Sequence, residues 1–170
     1  METLTATGTV SGVFFSMGTT PVTNDPKFDC ANAVIGLFNN AKKTAHVAIY
    51  SLTEPNIVNA MIAANKRGVK VAVVADETSS KNATMAAMIK KLTQAGLDVR
   101  LAVRQTALMH NKVGIFDGQT VCTGSFNWTN NAEKNNDENL LVVDGADLAA
   151  DYEKYVFQRI LQSETFVRPK

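Results

Sequence analysis

One stretch of the chain carries residue types at spacings that suit catalysis: Met109-His110-Asn111-Lys112-Val113-Gly114-Ile115-Phe116-Asp117, followed by Gly124-Ser125-Phe126-Asn127. It reads H-x-K-x(4)-D-x(6)-G-S-x-N. At ordinary residue frequencies such a set of fixed types and spacings arises by chance about once in 10⁸ starting positions. His110 and Lys112 are two apart in a predicted strand, so their side chains point to one face. Ser125 and Asn127 obey the same rule after a hairpin returns. The paired strands then place an imidazole, an ammonium, a hydroxyl and an amide on one surface. That set supplies a nucleophile or base, a fixed positive charge and hydrogen-bond donors. It suits an anionic group that gains charge in a transition state, above all a phosphate. It suits a divalent metal poorly, because Lys112 repels a cation and no second His or acidic cluster sits at ligand spacing. No metal or cofactor is expected.

The elements that must position these residues follow from the hydrophobic pattern. Val10 to Ser16 reads as a first strand, and Met17 to Asp29, with two of the four prolines, as a loop. Ala31, Val34, Ile35 and Phe38 recur at helical spacing within Phe28 to Lys43. Thr44 to Tyr50 is a strand. Thr53 to Arg67 is a helix with a Thr N-cap, a proline in its first turn and Gly68 after its end. Val69 to Ala75 is apolar enough for a strand buried on both faces. A helix from Lys81 to Ala95 precedes a strand from Asp98 to Val103. Asn111 to Phe116 and Gln119 to Thr123 form a hairpin about Asp117-Gly118, whose Asp-Gly pair suits a tight turn. A last strand from Asn139 to Val143 and a helix from Asp147 to Leu161 complete the chain. The alternation predicts one α/β domain over residues 1–170, with 1–9 a lead-in and a mixed, mostly parallel sheet between helices on both faces.

Composition narrows the class. The 170 residues form one domain that can bury a sizeable core without staples. Cys30 and Cys122 make neither a disulfide framework nor a metal motif. No apolar run is long enough to span a bilayer, and the N-terminus lacks the basic and apolar regions of a signal peptide. The net charge of +1 hides a division: residues 61–112 hold nine basic and three acidic side chains, whereas residues 113–170 hold five basic and nine acidic. A basic middle third suits a polyanion, and solvated helix faces explain it equally well.

The motif resembles the signature of the phospholipase D superfamily. Tyr50-Ser51-Leu52-Thr53, Ala64 to Val69, the strand ending at Asp76, and Glu138-Asn139 extend the resemblance to the small, single-motif bacterial endonucleases of that superfamily. The resemblance implies a phospholipase D/nuclease-like fold and phosphodiester cleavage without metal through a covalent phosphohistidine. It makes His110 the nucleophile, with Lys112, Ser125 and Asn127 holding phosphate oxygens. Glu138 is expected to orient the His110 ring, and Asp117 to support the hairpin. Trp128 is a candidate stacking platform for a base, with core packing as the alternative, and Arg104 and Lys134 are assigned to substrate binding. Double displacement needs a second group to protonate the leaving oxygen. The other histidine, His46, lies in a strand without the motif around it, so the partner is expected from a second copy in a homodimer with the site on its twofold axis.

The substrate expected first is nucleic acid, DNA or RNA, cut with little sequence preference. A lipid phosphodiester, as for a phospholipase or cardiolipin hydrolase, requires an apolar rim. Its only sequence hint, Val13-Phe14-Phe15, is assigned to a core strand. A non-catalytic DNA-binding dimer is the third reading. The compartment, bacterial cytoplasm or periplasm, is left open.

Overall fold

The computed structural model describes residues 6–18, 25–103, 107–163 and 165–167. Its strands are β1 (Thr9–Ser16), β2 (Thr44–Ile49), β3 (Lys70–Asp76), β4 (Asp98–Val103), β5 (Lys112–Phe116), β6 (Thr120–Gly124), β7 (Glu138–Asp144) and β8 (Thr165–Val167). They form one sheet in the order β1-β7-β6-β5-β2-β3-β4-β8. The helices are α1 (Cys30–Asn40), α2 (Pro55–Lys66), α3 (Ala83–Gln94), α4 (Asn130–Lys134), α5 (Ala146–Tyr152) and α6 (Arg159–Ser163), with a π-helical segment, Glu153–Gln158, joining the last two.

The class is the expected one, a mixed sheet with helices on both faces. Within it, antiparallel pairing dominates: β2-β3 and β3-β4 are parallel, and the other five pairings are antiparallel. Only the β2-α2-β3-α3-β4 stretch has helical crossovers, which parallel neighbours require. The β5–β6 hairpin inserts beside β2, and the chain then turns back through β7 to pair with β1. One face of the sheet packs Val47, Ile49, Phe116 and Leu140 against α1, α2 and α3 through Val34, Phe38, Met61 and Leu92. The other packs Ala48, Val113, Ile115 and Val121 against Ala149, Phe157 and Ile160 of the last helix.

Local chemistry explains most boundaries. Asp29 caps α1 by accepting from Asn32 N, and Asn82 caps α3 by accepting from Thr84 N and Met85 N. The cap of α2 is Glu54 rather than the expected Thr53: the Glu54 side chain accepts from Asn56 N, while Thr53 N is committed to the Trp128 carbonyl. The continuous helix expected from Asp147 to Leu161 contains the π turn, which sets Glu153 against His46 Nδ1 at 2.8 Å and stacks Phe157 on the His46 ring at 4.7 Å. His46 thus has the structural role its setting suggested. Both cysteines are free and buried, and burial pushes both thiols up to about 12.

The Asp117-Gly118 turn has φ of 55° and 64° at its two residues, the left-handed pair of a tight hairpin. Asp117 also accepts from Lys42 N, Lys43 N and Thr44 N, which clamps the start of β2 to the hairpin tip. Burial by itself raises this carboxyl, but the bonds from Thr44, Lys42 and Lys43, with the Lys43 charge, outweigh it and hold it below the ordinary aspartate range. Its stabilisation is therefore complete above the ordinary aspartate pKa and fades as pH falls through the lowered value. Asp117→Ala should lower unfolding free energy by about 1–3 kcal/mol at neutral pH. The gap from wild type should narrow in acid denaturation, while the turnover number, measured well below the melting temperature, stays unchanged. A turnover loss without a stability loss would contradict this assignment.

Candidate active site

The motif residues gather where β6 ends and β5 and β7 begin. The pairing of Ile49 with Lys112 and of Gly124 with Leu140 aligns the ends of β2, β5, β6 and β7. Beyond the last pair of β2 and β5, Tyr50 N donates to the Asn111 carbonyl at 2.8 Å, so Asn111 is pinned between His110 and Lys112. Gly124 is required here because a Cβ would collide with the Asn139 carbonyl oxygen. The close approach of β6 to β7 thus brings Ser125 against Glu138.

His110 and Lys112 do share a face, although His110 precedes the strand and is exposed while Lys112 is only 7% exposed. The Lys112 Nζ sits 3.1 Å from both His110 ring nitrogens and donates to the His110 carbonyl at 2.9 Å. It also lies 5.0 Å from the centre of the Tyr50 ring. Burial holds this ammonium below the ordinary lysine value, partly offset by the negative charge of Glu138. An amine so placed is a positive charge with little solvent of its own, which a phosphate oxygen would complete.

The carboxylate expected to orient His110 is used differently. Glu138 accepts from Ser125 Oγ through one oxygen and from Asn136 Nδ2 through the other at 2.9 Å, and among the described residues it makes no bond to His110. Its place at the start of β7 puts it beside Ser125, whose oxygen in turn accepts from Asn139 N. The His110 ring instead meets Tyr50, with ring centres 4.5 Å apart, and Lys112. Asn127 is half-buried, and its Oδ1 is buried with no hydrogen-bond partner among the described residues. An orphaned acceptor calls for a donor, so it is the amide nitrogen of Asn127, and not this oxygen, that can reach a phosphate oxygen.

Two of the assigned binding residues fall elsewhere. Trp128 is fully buried, edge-on to Phe38 at 5.9 Å, and cannot stack on a base. Its backbone explains the placement: Trp128 N donates to Ser51 O, and its carbonyl accepts from Thr53 N and Glu54 N, so the segment after β6 is stitched to the one after β2. Lys134 lies on α4 and lines a cavity of about 370 Å³ with Asp29, Glu54 and Glu133. In that acidic setting burial, with the nearby Asp29 and Glu54, pushes Glu133 up to about 7 against a hydrogen bond from Ala31 N. Arg104 lies outside the described residues. Apart from Lys112, much of the basic middle third turns away from the site. Lys66, Arg67 and Lys70 stand at the far ends of α2 and β3, Lys90 and Lys91 toward the far end of α3, and Lys81 is paired with Glu77.

Two residues were not anticipated. Tyr50 forms the wall of the His110–Lys112 couple. Asp76, buried at the end of β3, accepts from Ser79 N and, at 2.9 Å, from Met109 N, directly before His110. A carboxylate ending an otherwise apolar strand is the one signal that marked Asp76. Asp76→Asn turns an amide toward one of those N–H groups. The turnover number should fall about ten- to hundred-fold through misplacement of His110. The check is a single-turnover assay run below the variant's melting temperature, and an unchanged rate would reduce Asp76 to a fold residue.

Comparison with known proteins finds relatives across most of the chain. Residues 34–161 match the family described as cardiolipin synthase, PLD-like domain. The chain is 32% identical over 134 residues to a phospholipase D of Rickettsia prowazekii, covering 79% of this chain and 64% of that protein. It is 31% identical over 115 residues to a mitochondrial cardiolipin hydrolase of Chlamydomonas reinhardtii, covering 68% of this chain and 50% of that one. It thus spans only half to just under two thirds of these relatives. The crystal structure of Nuc from Salmonella typhimurium, a phospholipase D family member, superimposes with a TM-score of 0.81 at 29% identity. That match covers 95% of this chain and 99% of the other.

Proposed function

Because the chain belongs to the phospholipase D-like family, among whose relatives are a phospholipase D and a cardiolipin hydrolase, we propose that it is a metal-independent endonuclease of low sequence preference that acts through His110. The observation that carries the reading is the His110–Lys112 couple, an exposed imidazole against a buried ammonium. The end-to-end match with Nuc supports the nuclease branch, since the chain corresponds to that whole minimal domain.

In this mechanism a neutral His110 nitrogen attacks phosphorus. The bond to the leaving oxygen breaks, and that oxygen takes a proton from a second imidazole. Water, deprotonated by that second imidazole, then attacks the phosphohistidine and releases His110, so the net change is diester plus water to monoester plus alcohol. Lys112, Asn127 and Ser125 hold the non-bridging oxygens, with the Ser125 hydroxyl turning from Glu138 to do so. The second imidazole is not His46, which is held by Glu153 and Phe157 on the opposite face of the sheet. It comes from His110 of a second copy, across a twofold axis.

A lipid phosphodiester is the second reading, and one observation favours it. Val13 and Phe15, expected in the core, are 40% and 39% exposed on the edge strand, and Met17 and Phe28 extend this apolar strip beside Glu138 and Asn139. The physical reason is that α5 and its continuation cover β5, β6 and β2 but leave that side of β1 bare.

Single-stranded and duplex DNA, with cardiolipin vesicles in parallel, should be incubated in excess EDTA with wild type, His110→Asn and Lys112→Ala. The expected result is DNA cleavage that survives chelation, vanishes in His110→Asn and falls about 10²–10³-fold in Lys112→Ala. Lipid hydrolysis with the same variant pattern, and no DNA cleavage, would move the assignment to the second reading. An absolute requirement for magnesium would overturn the phosphohistidine mechanism for both.

A further inference from the structure

We propose that Tyr50 is a positioning residue, its ring forming the wall that sets the His110 imidazole and the Lys112 ammonium against each other. The inference rests on the reading of His110 as the nucleophile and adds the group that orients it. Three contacts close a triangle. The Tyr50 and His110 ring centres are 4.5 Å apart at an angle of 51°. The Lys112 Nζ is 5.0 Å from the Tyr50 ring centre and 3.1 Å from the His110 ring nitrogens. Tyr50 touches both members of the couple, and its backbone bond to Asn111 fixes the residue between them.

The triangle answers two physical needs. An imidazole that attacks phosphorus must be held in one orientation, and a carboxylate hydrogen bond usually does this. Glu138 is engaged by Ser125 and Asn136, so ring contact takes that place. A buried ammonium needs attraction to replace lost water, and the face of an aromatic ring supplies it. The Tyr50 backbone is held firmly enough to serve as such a wall, because it sits between the last β2–β5 pair and Ser51, whose carbonyl accepts from Trp128 N. The groups facing Lys112 are His110 on its own segment, Tyr50 from the end of β2 and the carboxylate of Glu138 from β7. The hydroxyl of Tyr50 has no part in the triangle, so the ring alone should suffice.

The test compares Tyr50→Phe, Tyr50→Leu and Tyr50→Met with wild type and His110→Asn on bis(p-nitrophenyl) phosphate. This small diester separates the reacting centre from polymer binding. Tyr50→Phe should stay within about threefold of wild type, whereas Leu and Met should lower kcat at least about tenfold with KM little changed. The alkaline limb of the pH–rate profile, where Lys112 loses its proton, should move to lower pH in Leu and Met and stay in place in Phe. Two non-aromatic variants guard against one of them failing to fold. Wild-type kcat and pH profile in either folded variant would overturn the proposal, as would a Phe variant as impaired as Leu, which would assign the role to the hydroxyl. Activity surviving in His110→Asn would instead overturn the reading of His110 on which the proposal rests.

Discussion

Burying the Lys112 ammonium at the end of a sheet is the constraint on which the rest of the site depends. Removing a charge from water costs on the order of several kcal/mol unless fixed partners replace the solvent. The fold supplies the His110 carbonyl, the His110 and Tyr50 rings and the more distant charge of Glu138, yet burial still holds the lysine below its ordinary pKa. The compensation stops short of complete. Among the described residues no carboxylate touches Nζ, so the protein keeps an ammonium whose best remaining partner is an arriving anion. A direct salt bridge would stabilise the fold and use up the same charge.

That incompleteness demands a stiff frame, because an under-compensated charge relaxes toward solvent if the backbone allows it. Three links prevent this, each at a different level. The Tyr50–Asn111 bond extends the β2–β5 ladder past its last pair. Asp76 fixes the residue before His110 to the end of β3, and the Trp128 backbone joins the segment after β6 to the start of α2. Each link joins segments far apart in sequence at a strand end, where a sheet normally frays. The Glu138–Ser125 bond and the contact that only Gly124 permits do the same between β6 and β7.

How much of this was legible follows from range. The Asp-Gly turn, the two-residue spacing of His110 and Lys112, and the main helices and strands rest on local patterns, and all appear in the structure within a few residues. What was missed depends on partners remote in sequence. The short α4 hides in an asparagine-rich run and is held by a Thr129 cap and by Ser16 from β1. β8 is three residues paired to β4. Trp128 stands next to the His110–Asn127 motif yet fills the core, because the strand-end stitching turns its side chain inward. Glu138 sits beside the site, but its oxygens are committed to Ser125 and Asn136, a choice that spacing does not encode. The charge count misled for a similar reason: the basic third is contiguous in sequence, and the crossover helices carry most of it to the far end of the sheet.

This last point bears on what the site can select. With most of that basic segment directed away, attraction of a substrate falls chiefly to Lys112 and the amide and hydroxyl donors near it. As proposed, such a site reads a phosphate and little else, so specificity for bases or headgroups must come from the rim. On the proposed reading a second copy brings another Lys112 and Asn127 to the same phosphate. A diester carries one negative charge in the ground state, and its five-coordinate transition state carries more. Two ammonium groups are then matched to the transition state better than to the bound substrate, the condition under which binding energy becomes rate. A single chain would provide one such cation and no second imidazole free to serve the leaving group. A twofold arrangement supplies both without any further residue on the chain.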